Sequence, residues 1–362
     1  MRIALLTTSY PRTDSDAAGH FVRAEAHALC EAGHAVTVLV PASSEPRSES
    51  QLALVELPHW GLFGWPGAVE RVRAQPWRLA GLLPFARAAR EALRNRGPFD
   101  RLIAHWILPS FWPVARGHDG ETNVVAHGSD VRLLERLPPN IQRSVCRALA
   151  LEGVTVRCVS NELAQRLVRL ANHLSVPSPE LVVKPATLTL PPLPPRAVLR
   201  ASLGLGSAKV VVIVGRLITS KRVDVAIEVV HAAFSLLDPV PALRLIVIGE
   251  GPEKSALMRR YVNVQWLGQL GRIETLQYIR AADLVVSASL NEGASTVVRE
   301  ARALGTTVVT AASGDLTEWA QNDPNLVVCP DFSTPGNGGT ISAITAVRRA
   351  LEIARDNSAP QR

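Results

Sequence analysis

A short proline run, Leu190-Pro191-Pro192-Leu193-Pro194-Pro195, falls just past the middle of the chain and constrains every fold the sequence could take. Each proline lacks a backbone N–H and fixes φ, so the run cannot sit inside a sheet or helix. It forms a stiff, extended connector. The 362 residues are also too many for one ordinary core, at roughly 100–200 residues per domain. The expected organisation is a domain over 1–190, a second over 191–340, and a C-terminal helix over 341–362 that packs back on the first domain.

On both sides of the connector, short apolar runs alternate with helical segments, the pattern of parallel sheets covered on both faces. In the first half, strands are expected near Ile3–Thr7, Ala35–Val40, Leu52–Leu57, Arg101–Ala104, Asn123–Ala126, Val154–Cys158 and Leu181–Lys184. In the second half they are expected near Lys209–Val214, Arg244–Ile248, Val264–Leu267, Leu284–Ser287, Thr307–Thr310 and Leu326–Val328. Helices fit Phe21–Ala32, Pro84–Arg94, Arg222–Leu237, Ile273–Ala281, Ser295–Leu304 and Ile341–Ile353. The fold class is α/β, with two Rossmann-like doubly wound domains facing a cleft. Ligands of such sheets bind outside the carboxyl ends of the strands.

Composition narrows the functional classes. No apolar run approaches the ~18–20 residues that span a bilayer, and the start, Met1-Arg2-Ile3-Ala4-Leu5-Leu6-Thr7, turns polar too soon for a signal peptide. A cytoplasmic location is expected. Cys30, Cys146, Cys158 and Cys329 form no C-x-x-C pair and no grouping with histidines, so buried thiols are expected and no metal site. The net charge is +7, carried mostly by arginine, so each of the four lysines, Lys184, Lys209, Lys221 and Lys254, draws notice wherever chemistry is expected.

Three segments carry that chemistry. The first, Asn291-Glu292-Gly293-Ala294-Ser295-Thr296-Val297-Val298-Arg299-Glu300, follows a strand and opens a helix. A helix start offers unpaired N–H groups and positive dipole potential, which suit phosphate. Gly293 lets the backbone approach a ligand, and Ser295 or Thr296 is placed to cap the helix. Glu292 and Glu300 are eight positions apart, about 12 Å if all helical, so they would hold two ends of an extended ligand. Equally, they fit a capped surface helix with solvated carboxylates. The second, Val214-Gly215-Arg216-Leu217-Ile218-Thr219-Ser220-Lys221, turns at Gly215 and aims a guanidinium fork and a mobile ammonium at one polyanion. Its glycine spacing is not that of a P-loop. The third, Ala126-His127-Gly128-Ser129-Asp130, ends a strand and faces the expected cleft, where a proton donor or hydrogen-bonding group is useful. His105, with Trp106, ends the preceding strand and fits a pocket wall.

In order along the chain, these segments resemble the GT-B retaining glycosyltransferases of family 4 (glycosyl transferases group 1), and the resemblance covers nearly the whole chain. Its landmarks are Ser9-Tyr10-Pro11 with Gly19-His20-Phe21, then His105-Trp106-Ile107-Leu108-Pro109 and His127-Gly128-Ser129-Asp130. Gly215-Arg216-Leu217 with Lys221, Gly249-Glu250-Gly251-Pro252, Leu267-Gly268 and the Glu292/Glu300 pair follow.

The resemblance implies a transferase that moves a sugar from a nucleotide-diphosphate sugar to a glycan, lipid-linked or small-molecule acceptor, without metal or cofactor and with retained anomeric configuration. It also implies roles. Arg216 and Lys221 would bind the diphosphate, Glu292 the transferred sugar and Glu300 the ribose. Amides from Gly293, Ala294, Ser295 and Thr296 would face the phosphates. Leu267 and Leu270 would flank the base, His127 would sit over the sugar, and Gly19 would border donor and acceptor. Catalysis would rest on His127, Glu292, Arg216 and Lys221, with His105 and Asp130 on the acceptor side. The sequence departs from the pattern at Pro185-Ala186-Thr187-Leu188-Thr189, at Ala18-Gly19, and at Ser313-Gly314-Asp315-Leu316-Thr317-Glu318. Those departures keep open a non-catalytic sugar-nucleotide-binding protein; a GT-B-like epimerase is the other alternative. Nothing in the layout points to nucleic acid.

Residues 60–96 form a further candidate surface. They hold Trp60, Phe63, Trp65 and Trp77 and seven arginines against Glu70 and Glu91. Arg87, Arg90 and Arg94 recur at helical spacing. Aromatic rings and cations together suit an anionic headgroup layer, so a peripheral position at the inner face of the membrane is expected.

Overall fold

The computed structural model describes residues 1–356 apart from 14, 15, 17, 45, 46, 48, 50, 51, 66, 291 and 333–339. The chain divides into two compact units, Met1–Thr189 and Leu190 onward.

The first unit holds one seven-stranded sheet. Its strands are β1 (Arg2–Leu6), β2 (Ala35–Pro41), β3 (Ala53–Leu57), β4 (Arg101–His105), β5 (Glu121–Ala126), β6 (Val154–Cys158) and β7 (Glu180–Val183). All pairings are parallel, in the order β3-β2-β1-β4-β5-β6-β7. The second unit holds a six-stranded parallel sheet of β8 (Lys209–Val214), β9 (Leu243–Ile248), β10 (Gln265–Gly268), β11 (Leu284–Ser287), β12 (Thr307–Ala311) and β13 (Leu326–Cys329). Its order, β10-β9-β8-β11-β12-β13, repeats the doubly wound pattern. Every strand expected from the apolar runs is present, with no end shifted by more than two residues.

The runs are continuous because both faces of each strand are buried. In the second sheet, Val211, Ile213, Leu245, Val247, Leu284 and Val286 point into one core layer. Their neighbours Val210, Val212, Ile246, Ile248 and Val285 point into the opposite one. In the first sheet, Ala4, Leu6, Leu39, Leu57 and Leu102 pack with Phe85 and Phe63.

The C-terminal helix spans Thr340–Asp356. Its Ala343, Val347, Ala350 and Leu351 lie in the same core layer as Val211 and Val309. It therefore belongs to the second unit's core. Its apolar stripe called for burial but did not name a partner. Residues 357–362 lie outside the described residues.

The proline connector is laid down on the second unit. Leu190 and Leu193 pack against that unit's core. The helix after it, Arg196–Ser202, is held at its base by Asp283. That carboxylate accepts from Arg196 at 2.9 Å, Arg200 at 3.1 Å and the Val210 N–H at 2.8 Å. Burial alone would raise the Asp283 pKa, but the Val210 N–H and the cations Arg196, Lys209 and Arg200 hold it below its ordinary value.

Cys146 and Cys158 are buried, and desolvation pushes their thiols up to about 11 and about 12. Cys329 is buried against Ser342, and Cys30 is half-buried.

Candidate active site

In an open doubly wound sheet, the crevice opens where the strand order reverses, at the carboxyl ends of the two central strands. In the second unit those strands are β8 and β11. A pocket of about 130 Å3 lies there, with Gly215, Arg216, Lys221, Ser289, Glu292 and Ser295 among its lining residues. Two of the three segments singled out in the sequence thus meet at one place. Asn291 lies outside the described residues.

The polar wall of this pocket is tightly knit. The Glu292 carboxylate forms an ion pair with Lys221 and accepts a hydrogen bond from the Ser289 hydroxyl at 2.5 Å. The Glu292 N–H donates to the Ser313 hydroxyl oxygen at 2.5 Å. Arg216 is half-buried in the same wall. Ser289 and Ser313 were not flagged by sequence reasoning. The only signal was that Ser313 stands where the family pattern expects glycine.

Glycines set the backbone here. A β-carbon on Gly249 would collide with the Gly215 carbonyl, and one on Gly251 would collide with the Leu217 carbonyl. Backbone bonds tie the same loops together: Gly215 N–H to Ile248 O at 3.0 Å, Leu217 N–H to Glu250 O at 2.8 Å and Gly249 N–H to Gly268 O at 2.7 Å. The Gly249-Glu250-Gly251 motif therefore braces the loop that carries Arg216 and Lys221.

Other expected site residues take more structural positions. The helix over Thr296–Ala303 starts after Ser295, but Ser295 makes no side-chain cap, so the expected hydroxyl cap is corrected. Of the expected amide-bearing residues, Ser295 lines the pocket, whereas Gly293, Ala294 and Thr296 are not among its lining residues. Glu300 is buried and pairs with Arg272 at 2.9 Å, a partner the sequence did not suggest. Leu267 and Leu270 are half-buried and pack against the second unit's core.

The first unit has its own cluster at the ends of β4 and β5. His105 is fully buried, and its Nδ1 lies 3.0 Å from Nε2 of His127, with the two rings stacked at 5.2 Å. Phe21 and Trp106 close over His127 at ring distances of 5.0 and 4.6 Å. Burial lowers the pKa of both histidines well below 6.5, and the Arg157 cation acts in the same direction. Both rings are therefore neutral at pH 7, one nitrogen donating to the other.

Asp130, expected on the acceptor side, is bound to backbone N–H groups. It is buried, and its carboxylate accepts from four backbone N–H groups: Ile107 at 2.8 Å, His127 at 3.1 Å, Gly128 at 2.9 Å and Val131 at 3.0 Å. Burial raises its pKa, opposed by the N–H groups of Ile107, Gly128, Val131 and its own backbone. Its work is to lock the His105–Ile107 and His127–Val131 turns together. His105 likewise supports His127 from beneath. Gly19 precedes the helix His20–Glu31 in a left-handed conformation, and a β-carbon there would strike the Ser9 carbonyl.

Comparison with known proteins gives this arrangement its class. Residues 208–336 match the family model for glycosyl transferases group 1. A D-inositol 3-phosphate glycosyltransferase of Corynebacterium efficiens is 30% identical over 275 residues, covering 68% of this chain and 63% of the relative. The chain thus spans less than two thirds of that relative's length. A Bacillus subtilis protein named for a teichuronic acid biosynthesis glycosyltransferase is 27% identical over 351 residues, covering 91% of this chain and 86% of that one. Among solved structures, a sucrose-phosphate synthase from Thermosynechococcus elongatus superimposes with a TM-score of 0.73 at 19% identity, over 98% of this chain and 90% of that one. Anabaena HepE in complex with UDP-glucose gives 0.62 at 18% identity, over 98% and 95%. The chain is a GT-B protein that carries a group 1 glycosyltransferase domain.

Proposed function

We propose that this chain is a retaining glycosyltransferase that takes a nucleotide-diphosphate sugar as donor. One observation carries the reading. Arg216, Lys221 and Glu292 line a single pocket at the point where the second sheet's strand order reverses. Two cations and a carboxylate match the two ends of such a donor: the cations meet the diphosphate, and the carboxylate accepts from sugar hydroxyls. Lys221 pairs with Glu292. On binding, its mobile ammonium exchanges part of that contact for phosphate oxygens.

In the reaction, the bond from the anomeric carbon to the diphosphate oxygen breaks and the acceptor oxygen bonds to that carbon on the same face. The acceptor's proton passes to the departing phosphate oxygen. Arg216 and Lys221 stabilise the charge that builds on the diphosphate. His127 enters as a neutral hydrogen-bonding ring and does not bring a cation to the sugar. The acceptor, a carbohydrate or a lipid-linked glycan, belongs to the first unit. No metal is required in this scheme.

The test is incubation with UDP-, GDP- and ADP-sugars and candidate acceptors, with released nucleotide and the product's anomeric signals read by NMR. Retention of configuration, undiminished by EDTA, is expected. An inverted product or EDTA-sensitive activity would overturn the mechanism. Donor binding without any turnover would instead identify a sugar-nucleotide-binding protein.

We also propose that residues 60–83 meet an anionic membrane surface at the cytoplasmic face. Trp60, Trp77 and Leu83 are 60%, 61% and 73% exposed, and Trp65, Val69 and Leu79 are exposed beside them in sequence. Arg71 and Arg78 both donate to the Gly61 carbonyl, at 2.7 and 2.6 Å, which brings two cations together within this segment. Apolar side chains beside unneutralised cations suit a headgroup layer. Two details differ from the expectation. Phe63 is buried against Phe85 in the core, and Arg90 donates to the Pro113 and Val114 carbonyls at 2.8 and 3.2 Å. The contact surface is therefore centred on the tryptophans and not on Arg87, Arg90 and Arg94. Among the described residues no helix is long and apolar enough to cross a membrane.

A further inference from the structure

The first unit carries a second, larger depression, of about 610 Å3, lined by Arg116, Asn140, Arg143, Ser144, Arg147 and Leu151, with Gly117 and Ala148 completing it. Arg116 and Leu151 precede β5 and β6, whereas His127 follows β5. Arg143 and Arg147 lie one turn apart on the helix Pro139–Leu149, so they share a face, and Arg116 comes from a separate segment. Three guanidiniums of one sign around one hollow repel one another.

Several other arginines of this unit are paired with carboxylates. Arg166 pairs with Glu135 and Glu162, Arg101 with Glu121, and Arg157 with Glu25. Among the described residues, none of the Arg116, Arg143 and Arg147 side chains has an ion pair or a hydrogen bond, although Asp119 and Glu152 are near neighbours of the rim in sequence. Arg116 only rests over the Trp112 ring, at 6.0 Å. The hollow is thus large enough for a small organic ligand, positive on its walls and partly apolar at Leu151 and Ala148.

We propose that this hollow binds an organic phosphate. The phosphoryl oxygens meet the guanidinium forks of Arg116, Arg143 and Arg147, a geometry that planar forks match with paired hydrogen bonds. Asn140 and Ser144 serve the neutral polar part of the ligand, and Leu151 lies against its carbon skeleton. The site is separate in the sequence and in the fold from the Arg216/Lys221 pocket, and it does not depend on the proposed sugar transfer. A soluble phosphate ester and a phospholipid headgroup share the required chemistry.

The experiment uses the full chain carrying Arg216→Ala and Lys221→Ala, so that phosphate at the donor pocket does not contribute, and Trp60→Ser and Trp77→Ser, so that the tryptophan surface does not. Inorganic phosphate, glycerol 3-phosphate and vesicles with or without phosphatidylglycerol are the probes, read by calorimetric titration and co-sedimentation. Binding of at least one probe is expected, falling with salt. Adding Arg143→Gln and Arg147→Gln is expected to weaken it by about tenfold or more. Soluble probes bound and vesicles not would identify a free phosphate ester; vesicles alone would identify a lipid headgroup. No probe bound, or equal binding with and without the two arginines, would overturn the proposal. Arg116→Gln, which leaves the helix untouched, gives the same test if the double replacement fails to fold. The ligand-free melting temperature of the glutamine variants should not fall, because no internal partner is lost; a marked fall would assign these arginines to the fold and also overturn the proposal.

Discussion

The Ser313 hydroxyl oxygen accepts the backbone N–H of Glu292 at 2.5 Å, so a residue 21 positions later in the chain holds the backbone of the carboxylate that lines the Arg216/Lys221 pocket. The next residue, Gly314, has φ +54° and leaves no space for a β-carbon beside the Gly293 carbonyl. Gly314→Ala is expected to destabilise the second unit by roughly 1–3 kcal/mol, from the left-handed backbone and the collision together. Thermal unfolding measures it. Ser313→Ala should leave the melting temperature within a few degrees while raising the donor KM about fivefold, since one positioning hydrogen bond is worth roughly 1 kcal/mol. Unchanged donor kinetics in a folded Ser313→Ala protein would show that the bond does not position Glu292.

Arg216→Ala and Lys221→Ala should each weaken donor binding much more than they disturb the fold. Truncating one partner of a desolvated charged contact costs roughly 2–5 kcal/mol. Calorimetric titration with the best donor separates this from unfolding. Wild-type affinity in both variants would remove the diphosphate from this pocket. Lys221→Ala should also free the Glu292 carboxylate from its ion pair.

The stacked histidines predict how the first unit responds to acid. Their folded pKa values lie well below the ordinary 6.5, so the unfolded chain takes up protons first as pH falls. Stability should be flat above pH ~6.5 and decline below it, by at most about 1.4 kcal/mol per pH unit for each ring. Denaturant unfolding across that range, compared with a His105→Gln/His127→Gln variant, isolates the effect from carboxylates and other histidines. A slope equal in the two proteins would mean the pair titrates normally.

Vesicle co-sedimentation checks the membrane surface. Binding should rise with anionic lipid and fall with salt, each basic residue near the surface contributing on the order of 1 kcal/mol. Trp60→Ser, Trp77→Ser and Leu83→Ser together should abolish it, while Arg87→Glu and Arg94→Glu should only weaken it. Equal recovery on neutral and anionic vesicles would end the idea.

The sheets were legible because strands buried on both faces write themselves as unbroken apolar runs, such as Lys209-Val210-Val211-Val212-Ile213-Val214. The two loops that line the second unit's pocket were legible because glycine before a cation, or a glutamate before a helix, is rare enough to stand out. Partners were not. The stripe Ala343, Val347 and Ala350 announces burial without saying against what. Asp130 at a strand end looks the same in sequence whether it faces a ligand or accepts four backbone N–H groups. Ser289 and Ser313 act through contacts across the fold, and a single hydroxyl carries no periodicity to read.

The interlocked turns at Gly215, Gly249 and Gly251 have a thermodynamic consequence. Loops already pinned to one another have little conformational freedom left to lose when a ligand arrives. Donor binding to this pocket should therefore show a small ordering entropy and a heat-capacity change set by the surface covered. Substitutions that loosen the turns, such as Gly251→Ala, would then act as an entropic tax on affinity even at a distance from the phosphates.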